Sequence, residues 1–248
     1  MKARRALIAL AISTICVAVP LSAQGFIETE GGVAFTGYND ARIPSDSGTT
    51  ISLKDDIESD PALALRMRIG YTFARRHTVM LLAAPLTVRG SGTLDRDVEY
   101  QGVTFPAGTK LRSQYRFDSY RLAYRYRLVD GDSLRLDLGL AGKIRSADIA
   151  IMSDHAYAHR QDLGFVPLIT AMASWRFAGP FSVLVDADGL VTPFGRAEDA
   201  LFALQYHPSE STTLRLGYRI LEGGSDGGGD VYTFSAFHYL VAGISVAF

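Results

Sequence analysis

Leu63-Ala64-Leu65-Arg66-Met67-Arg68-Ile69-Gly70-Tyr71-Thr72-Phe73 alternates without a break. Its odd positions are apolar and end in two aromatics. Its even positions are small, polar or charged. A period of two sends successive side chains to opposite faces of a β-strand. One face of this strand therefore meets an apolar medium, and the other carries two arginines.

The same alternation recurs along the chain. Tyr120, Leu122, Tyr124, Tyr126 and Leu128 oppose Arg121, Arg125 and Arg127. Leu134, Leu136, Leu138, Leu140 and Ile144 oppose Arg135, Asp137, Lys143 and Arg145. Leu214, Leu216, Tyr218 and Ile220 oppose Arg215, Gly217 and Arg219. Tyr115 and Phe117 break the parity, which predicts a bulge near Asp118-Ser119 that switches the facing.

A soluble sandwich alternates too, with its polar side in water. Two features favour a membrane. The strands approach the ~9–11 residues that cross a bilayer at a tilt. Their apolar faces also end in aromatics, at Tyr71/Phe73, Trp175/Phe177 and Tyr206, where a girdle would meet headgroups.

Connections alternate between short and long. Short turns fall at 75–77, 129–133, 178–180 and 208–211. Longer polar or Gly-rich segments fall at 39–61, 90–111, 152–162, 192–197 and 222–230. Short periplasmic turns and long external loops are the asymmetry of outer-membrane barrels. The expected fold is therefore all-β: an antiparallel up-and-down transmembrane β-barrel. About ten strands are expected, near 25–38, 62–74, 77–89, 112–128, 134–150, 163–177, 181–191, 199–207, 212–221 and 231–248. Eight or twelve strands fit the same pattern.

The chain ends on a further stripe: Leu240, Ala242, Ile244, Val246 and Phe248. Here it resembles the Gram-negative outer-membrane β-barrel class, whose last strand ends in Phe with apolar residues at alternate positions. The resemblance implies that Leu240, Ile244, Val246 and Phe248 form the signal read by the barrel-assembly machinery. No narrower family is suggested.

The first 23 residues read as a secretory signal peptide, leaving 24–248 for the barrel. Lys2, Arg4 and Arg5 precede an apolar run from Ala6 to Val19, which Pro20 ends before Leu21-Ser22-Ala23. The run is shorter than the ~20 residues of a membrane helix. The only cysteine, Cys16, lies within it, so no disulfide or thiolate metal site is expected in the barrel. Of 248 residues, 25 are Lys or Arg and 26 are Asp or Glu, so no basic excess points to nucleic acid. The expected surroundings are outer-membrane lipid and lipopolysaccharide, with the protein a monomer, and no cofactor or metal is implied.

If the apolar faces meet lipid, the lumen holds Glu28, Glu30, Arg66, Arg68, Arg121, Arg125, Arg127, Arg135, Asp137, Lys143, Arg145, Asp186, Asp188, Arg215 and Arg219. The turn after Leu128 is expected to set Arg125 opposite Asp137 and Arg127 opposite Arg135. Charges in a narrow barrel must be paired or hydrated. Three readings follow: a salt-bridged structural filling, a narrow channel or binder for small anions, or a hydrolase of lipid or peptide. The last would use Asp186 and Asp188, two apart on one face, with His155 or His159 from a loop as base. A surface adhesin or receptor is a further alternative, for which no loop motif speaks.

Other features carry less. His207-Pro208-Ser209 falls on an expected periplasmic turn, and His77 and His238 have no partner set by spacing. Ser225 to Asp230 offers carboxylates for calcium but lacks a full ligand spacing. Asp55, Asp56, Glu58 and Asp60 read as a solvated acidic loop, and Glu198-Asp199 as a rim cluster.

Overall fold

The computed structural model describes residues 24–226 and 230–248. The signal segment and much of the Ser225–Asp230 loop lie outside the described residues. The elements in chain order are β1 (Gln24–Arg42), β2 (Ile51–Ser52), β3 (Glu58–Ser59), β4 (Ala62–Phe73) and β5 (His77–Ala84). They continue with β6 (Thr87–Thr93), β7 (Val98–Tyr100), β8 (Val103–Phe105), β9 (Lys110–Asp130) and β10 (Leu134–Met152). The last are β11 (Tyr157–Ala178), β12 (Phe181–Thr192), β13 (Gly195–Tyr206), β14 (Thr212–Asp226) and β15 (Tyr232–Ala247).

The wall closes on ten antiparallel staves, running β1, β4, β5, β9, β10, β11, β12, β13, β14, β15 and back to β1. The third stave is broken. β5 and β6 both pair with β9, and Pro85, which has no N–H to give a ladder, lies between them.

Facing follows the alternation. On β4, Leu63, Leu65, Met67 and Ile69 are exposed while Arg66 and Arg68 are buried. On β14, Leu214, Leu216 and Tyr218 point out, and Arg215 and Arg219 point in. A wall that is apolar outside and charged inside suits lipid, not water. Trp175, Phe177, Phe181, Tyr206 and Phe248 are exposed at the short-turn end, forming an aromatic rim.

Three expectations need correction. First, β9 carries no facing switch near Asp118. Ser113, Tyr115, Ser119 and Arg121 share one buried parity, and Phe117 continues it. The parity looked broken because β9, 21 residues long, outruns the bilayer, and above it the inward side chains are apolar. The only register shift between β9 and β10 falls at Leu136/Asp137. Second, that bulge moves the ladder: Arg127 stands opposite Asp137, Arg125 opposite Gly139 and Arg135 opposite Asp130.

Third, the long segments are largely structured. β10 and β11 are joined by only 153–156, and β12 and β13 by 193–194. The segments 43–61 and 94–109 fold over the long-loop end as a cap. Ile43, Ile51, Leu53, Ile57, Val98, Tyr100 and Phe105 are all buried there, packed with Leu111, Tyr115, Ile149 and Phe237. Nor is the acidic loop simply solvated. Arg96 donates to Asp56 Oδ2 at 2.7 Å, tying the two capping segments together.

Candidate functional site

The barrel waist is filled by ion pairs. Arg side chains come from β4, β9 and β14, and carboxylates from β1, β12 and β13. Each position is the inward member of an alternating pair, so the facing of the wall brings these charges together.

The pairs form a closed cycle. Glu28 meets Arg68 Nη1 at 3.1 Å, and Arg68 reaches Asp186 at 2.9 Å. Asp186 contacts Arg125, which lies 3.3 Å from Asp188. Asp188 meets Arg121 at 2.5 Å, and Arg121 meets Asp199 at 2.6 Å. Asp199 meets Arg219 at 2.6 Å, and Arg219 meets Glu30 at 2.8 Å. Arg215 closes the cycle, 3.0 Å from Glu30 and 2.8 Å from Glu28. Arg66 braces it, spanning Asp199 at 3.0 Å and Glu30 at 3.6 Å. Charges taken out of water cost several kcal/mol each, and here every carboxylate has at least two guanidinium partners.

Lys143 stands apart. It is 3% exposed, yet among the described residues no carboxylate lies within ion-pair distance of its Nζ. Its partner is the Phe117 ring, 4.8 Å from Nζ to centroid. It faces Arg121 across the β9–β10 ladder and Val166 across the β10–β11 ladder.

Lys143 forms part of a cavity of about 610 Å³ at the long-loop end. Apolar residues such as Phe117, Phe165, Leu190 and Phe194 line it beside Arg145, Arg160 and Arg196. These arginines are engaged by Asp162, Asp230 and Glu222 respectively. A second cavity of about 420 Å³ opens at the short-turn end and touches Glu28, Arg68, Arg125 and Asp186. The two share no lining residue, and the charged cycle stands between them.

Among solved structures, the chain is similar to the attachment invasion locus protein Ail of Yersinia pestis, in a complex with the heparin analogue sucrose octasulfate. The two are 12% identical with a TM-score of 0.39, covering 90% of this chain and 99% of Ail. The translocator domain of the autotransporter NalP from Neisseria meningitidis is 11% identical at a TM-score of 0.45, covering 90% and 88%. The transport unit of the autotransporter AIDA-I from Escherichia coli is 9% identical at 0.48, covering 98% and 93%. No protein-family model and no curated protein matches. The fold stands on the chain's own pairing and facing: a closed antiparallel β-barrel of ten staves, apolar outside and charged within.

The barrel does not assemble the expected hydrolytic group. Asp186 and Asp188 lie in the charged cycle, held by Arg68, Arg125 and Arg121. His159 Nδ1 lies 3.2 Å from Asp148, and His155 is exposed beyond it. Asp186 pairs with Met172, thirteen residues along β11 from His159, about 40 Å at ~3.3 Å per residue. The histidines were expected on a loop over 152–162, whereas β11 is strand from Tyr157 onward and carries His159 up the wall, away from the carboxylates.

The other expected lumen residues divide by height. Arg127 and Arg135 both engage Asp137 at the short-turn mouth, outside the cycle, with Arg135 Nε donating to Asp137 Oδ2 at 3.0 Å. Arg145 lies above the cycle, paired with Asp162. Asp199 was missed as a lumen residue. Like Glu30 it meets three arginines, and all three, Arg66, Arg121 and Arg219, donate hydrogen bonds to it. Its inward parity with Leu201 and Ala203 could have revealed it, had the strand been started at Gly195. His207, on the mouth, shares Ser182 Oγ at 2.8 Å and Thr213 Oγ1 at 3.0 Å.

Proposed function

We propose that this chain is exported by its N-terminal signal segment to the outer membrane and works there as a closed barrel that binds an anion near its external end. Under that reading the short-turn end is periplasmic and the long-loop end external. Lys143 carries the argument: a buried cation with no counter-ion among the described residues, on the wall of a cavity. Buried charges are ordinarily paired, and the neighbouring arginines all are. An anion entering the cavity supplies the missing partner.

The charged cycle favours a binder over a channel. Five carboxylates and six arginines fill the waist of a ten-stave wall, which leaves little free lumen. The same cycle serves the structural reading, by bracing the staves against one another.

Calorimetric titration of the purified barrel in neutral detergent with hexanoate or inorganic phosphate tests the proposal. Saturable binding is expected, weakened about tenfold in Lys143→Met, the typical worth of one charged hydrogen bond. Equal heats for the wild type and the variant would overturn it.

A further inference from the structure

The barrel wall has a gap on the rung beside Lys143. β11 and β12 pair from Ala178↔Phe181 up to Ile169↔Gly189 and no further. β11 nevertheless continues to Tyr157, paired on its other side to β10 throughout. Among the described residues, twelve residues of β11, 157–168, therefore have no partner strand on the β12 side. Pro167, which lacks the N–H a ladder needs, lies just above the last pair. β12 ends three residues above the same pair, and Phe194 caps its hairpin with β13.

The lower part of this edge, from Leu163 to Pro167, has an apolar outer face. Leu163 and Phe165 on the free stretch are 74% and 71% exposed, and Phe194 beside it is 81% exposed. An open sheet edge is not tolerated against lipid alone, but it is where it lines a cavity. The cavity of Lys143 supplies one, since Phe165, Val166, Pro167, Leu190 and Phe194 all line it. Lys143 and Val166 are direct ladder partners, so the unpaired cation and the gap share a rung. The cavity also holds buried polar atoms with no hydrogen-bond partner: Thr233 Oγ1, Arg145 Nε and Arg160 Nε. Its charged lining comprises Lys143, Arg145, Arg160 and Arg196 against Asp162, Glu222 and Asp230, one cation in excess.

We infer that the gap between β11 and β12 is a lateral portal through which a single-chain amphiphile with an anionic head passes between the outer leaflet and the cavity. The inference rests on the anion-binding reading above. The head pairs with Lys143 Nζ on the cavity wall. The chain lies through the gap between Phe165 and Leu190, where an apolar tail covers the free strand edge. A small hydrophilic anion would fill the cation site and leave this apolar path empty.

Doxyl-labelled stearate in phosphatidylcholine nanodiscs, with and without the barrel, tests this by electron paramagnetic resonance. The barrel should produce an immobilised component with the acid and much less with its methyl ester. Lys143→Met should reduce the acid's component to the ester's level, and Lys143→Arg should retain it. In the double variant Pro167→Cys/Val191→Cys, which continues the Ile169↔Gly189 register by two residues, oxidation should abolish the component and reduction restore it. Immobilisation that survives both oxidation and Lys143→Met would overturn the portal. So would hexanoate binding in the titration above with no immobilised stearate, which would leave the cavity an anion site fed from water. Absence of binding by stearate, hexanoate and phosphate alike would overturn both readings.

Discussion

Phe248 and Gly25 exchange two backbone hydrogen bonds: each N–H donates to the other's carbonyl at 2.8 Å. They close the barrel seam at its last rung, where β15 meets β1 and Ala247 stands opposite Phe26. A Cβ on Gly25 would fall 2.6 Å from the Phe248 ring. Deleting Phe248 removes both hydrogen bonds and the rim aromatic together. The folded, heat-modifiable band on unboiled gels should fall steeply for the deletion and modestly for Gly25→Ala, whose cost of about 1 kcal/mol is that of a small overpacking. Undiminished assembly of the deletion would contradict the seam's role.

Asp199→Asn should be the most damaging conservative change in the lumen. It leaves Arg66, Arg121 and Arg219 short of a shared counter-charge, and breaking one partner of a buried pair costs roughly 3–5 kcal/mol. Urea unfolding in phospholipid vesicles measures the loss. Asp137→Asn, at the mouth among half-exposed arginines, should cost much less. Equal losses for the two would mean that the cycle adds nothing beyond ordinary pairing.

The wild-type barrel should pass no steady current in a planar bilayer. Removing Arg121 and Asp188 together, a pair at 2.5 Å, subtracts two large side chains from the waist without a change in net charge. The double alanine variant should conduct. A conducting wild type would show that water threads the cycle as it stands.

Asp56, in the external cap, gives a pH signature. Burial pushes its carboxyl up, but the Arg96 guanidinium and the Ser52 N–H outweigh that and hold it below the usual Asp range. A carboxylate depressed in the folded state contributes stability that is complete above its unfolded value, near ~3.9, and is lost as pH falls through the folded one. The Ser52 amide donates to Asp56 Oδ2 at 2.9 Å, so its proton shift should titrate with a midpoint below that range. In Arg96→Gln the midpoint should rise. An unmoved midpoint would mean that the two capping segments are not tied through this pair.

Much of this was legible as alternation. The Arg66/Arg68 strand could be read because both its faces are uniform: lipid on one side, charge on the other. The same rule faltered at Tyr115 and Phe117, since inward residues are charged only at the waist and become apolar under the cap. Alternation tells inside from outside but not height. Asp199 was therefore taken for a rim residue, and Asp186 was set near histidines it never meets. The Leu136/Asp137 bulge has no mark in its residue types, so the register of Arg125 and Arg127 could not be read. The gap above Ile169 lies deeper still. Pro167 marks it, but only the pairing of β12 shows that, among the described residues, no other strand takes its place.

The charged cycle has a consequence for register. Slipping one seam strand by a single residue would turn its apolar stripe into the lumen, and lipid would reject it. A slip of two residues keeps every apolar side chain facing out, so the hydrophobic pattern is blind to it. That slip would carry Glu28 to the height of Glu30 and leave Arg68 or Arg219 without its partner. The ions at the waist thus discriminate between seams that the membrane alone would accept equally, and they do so only when the first and last staves have met.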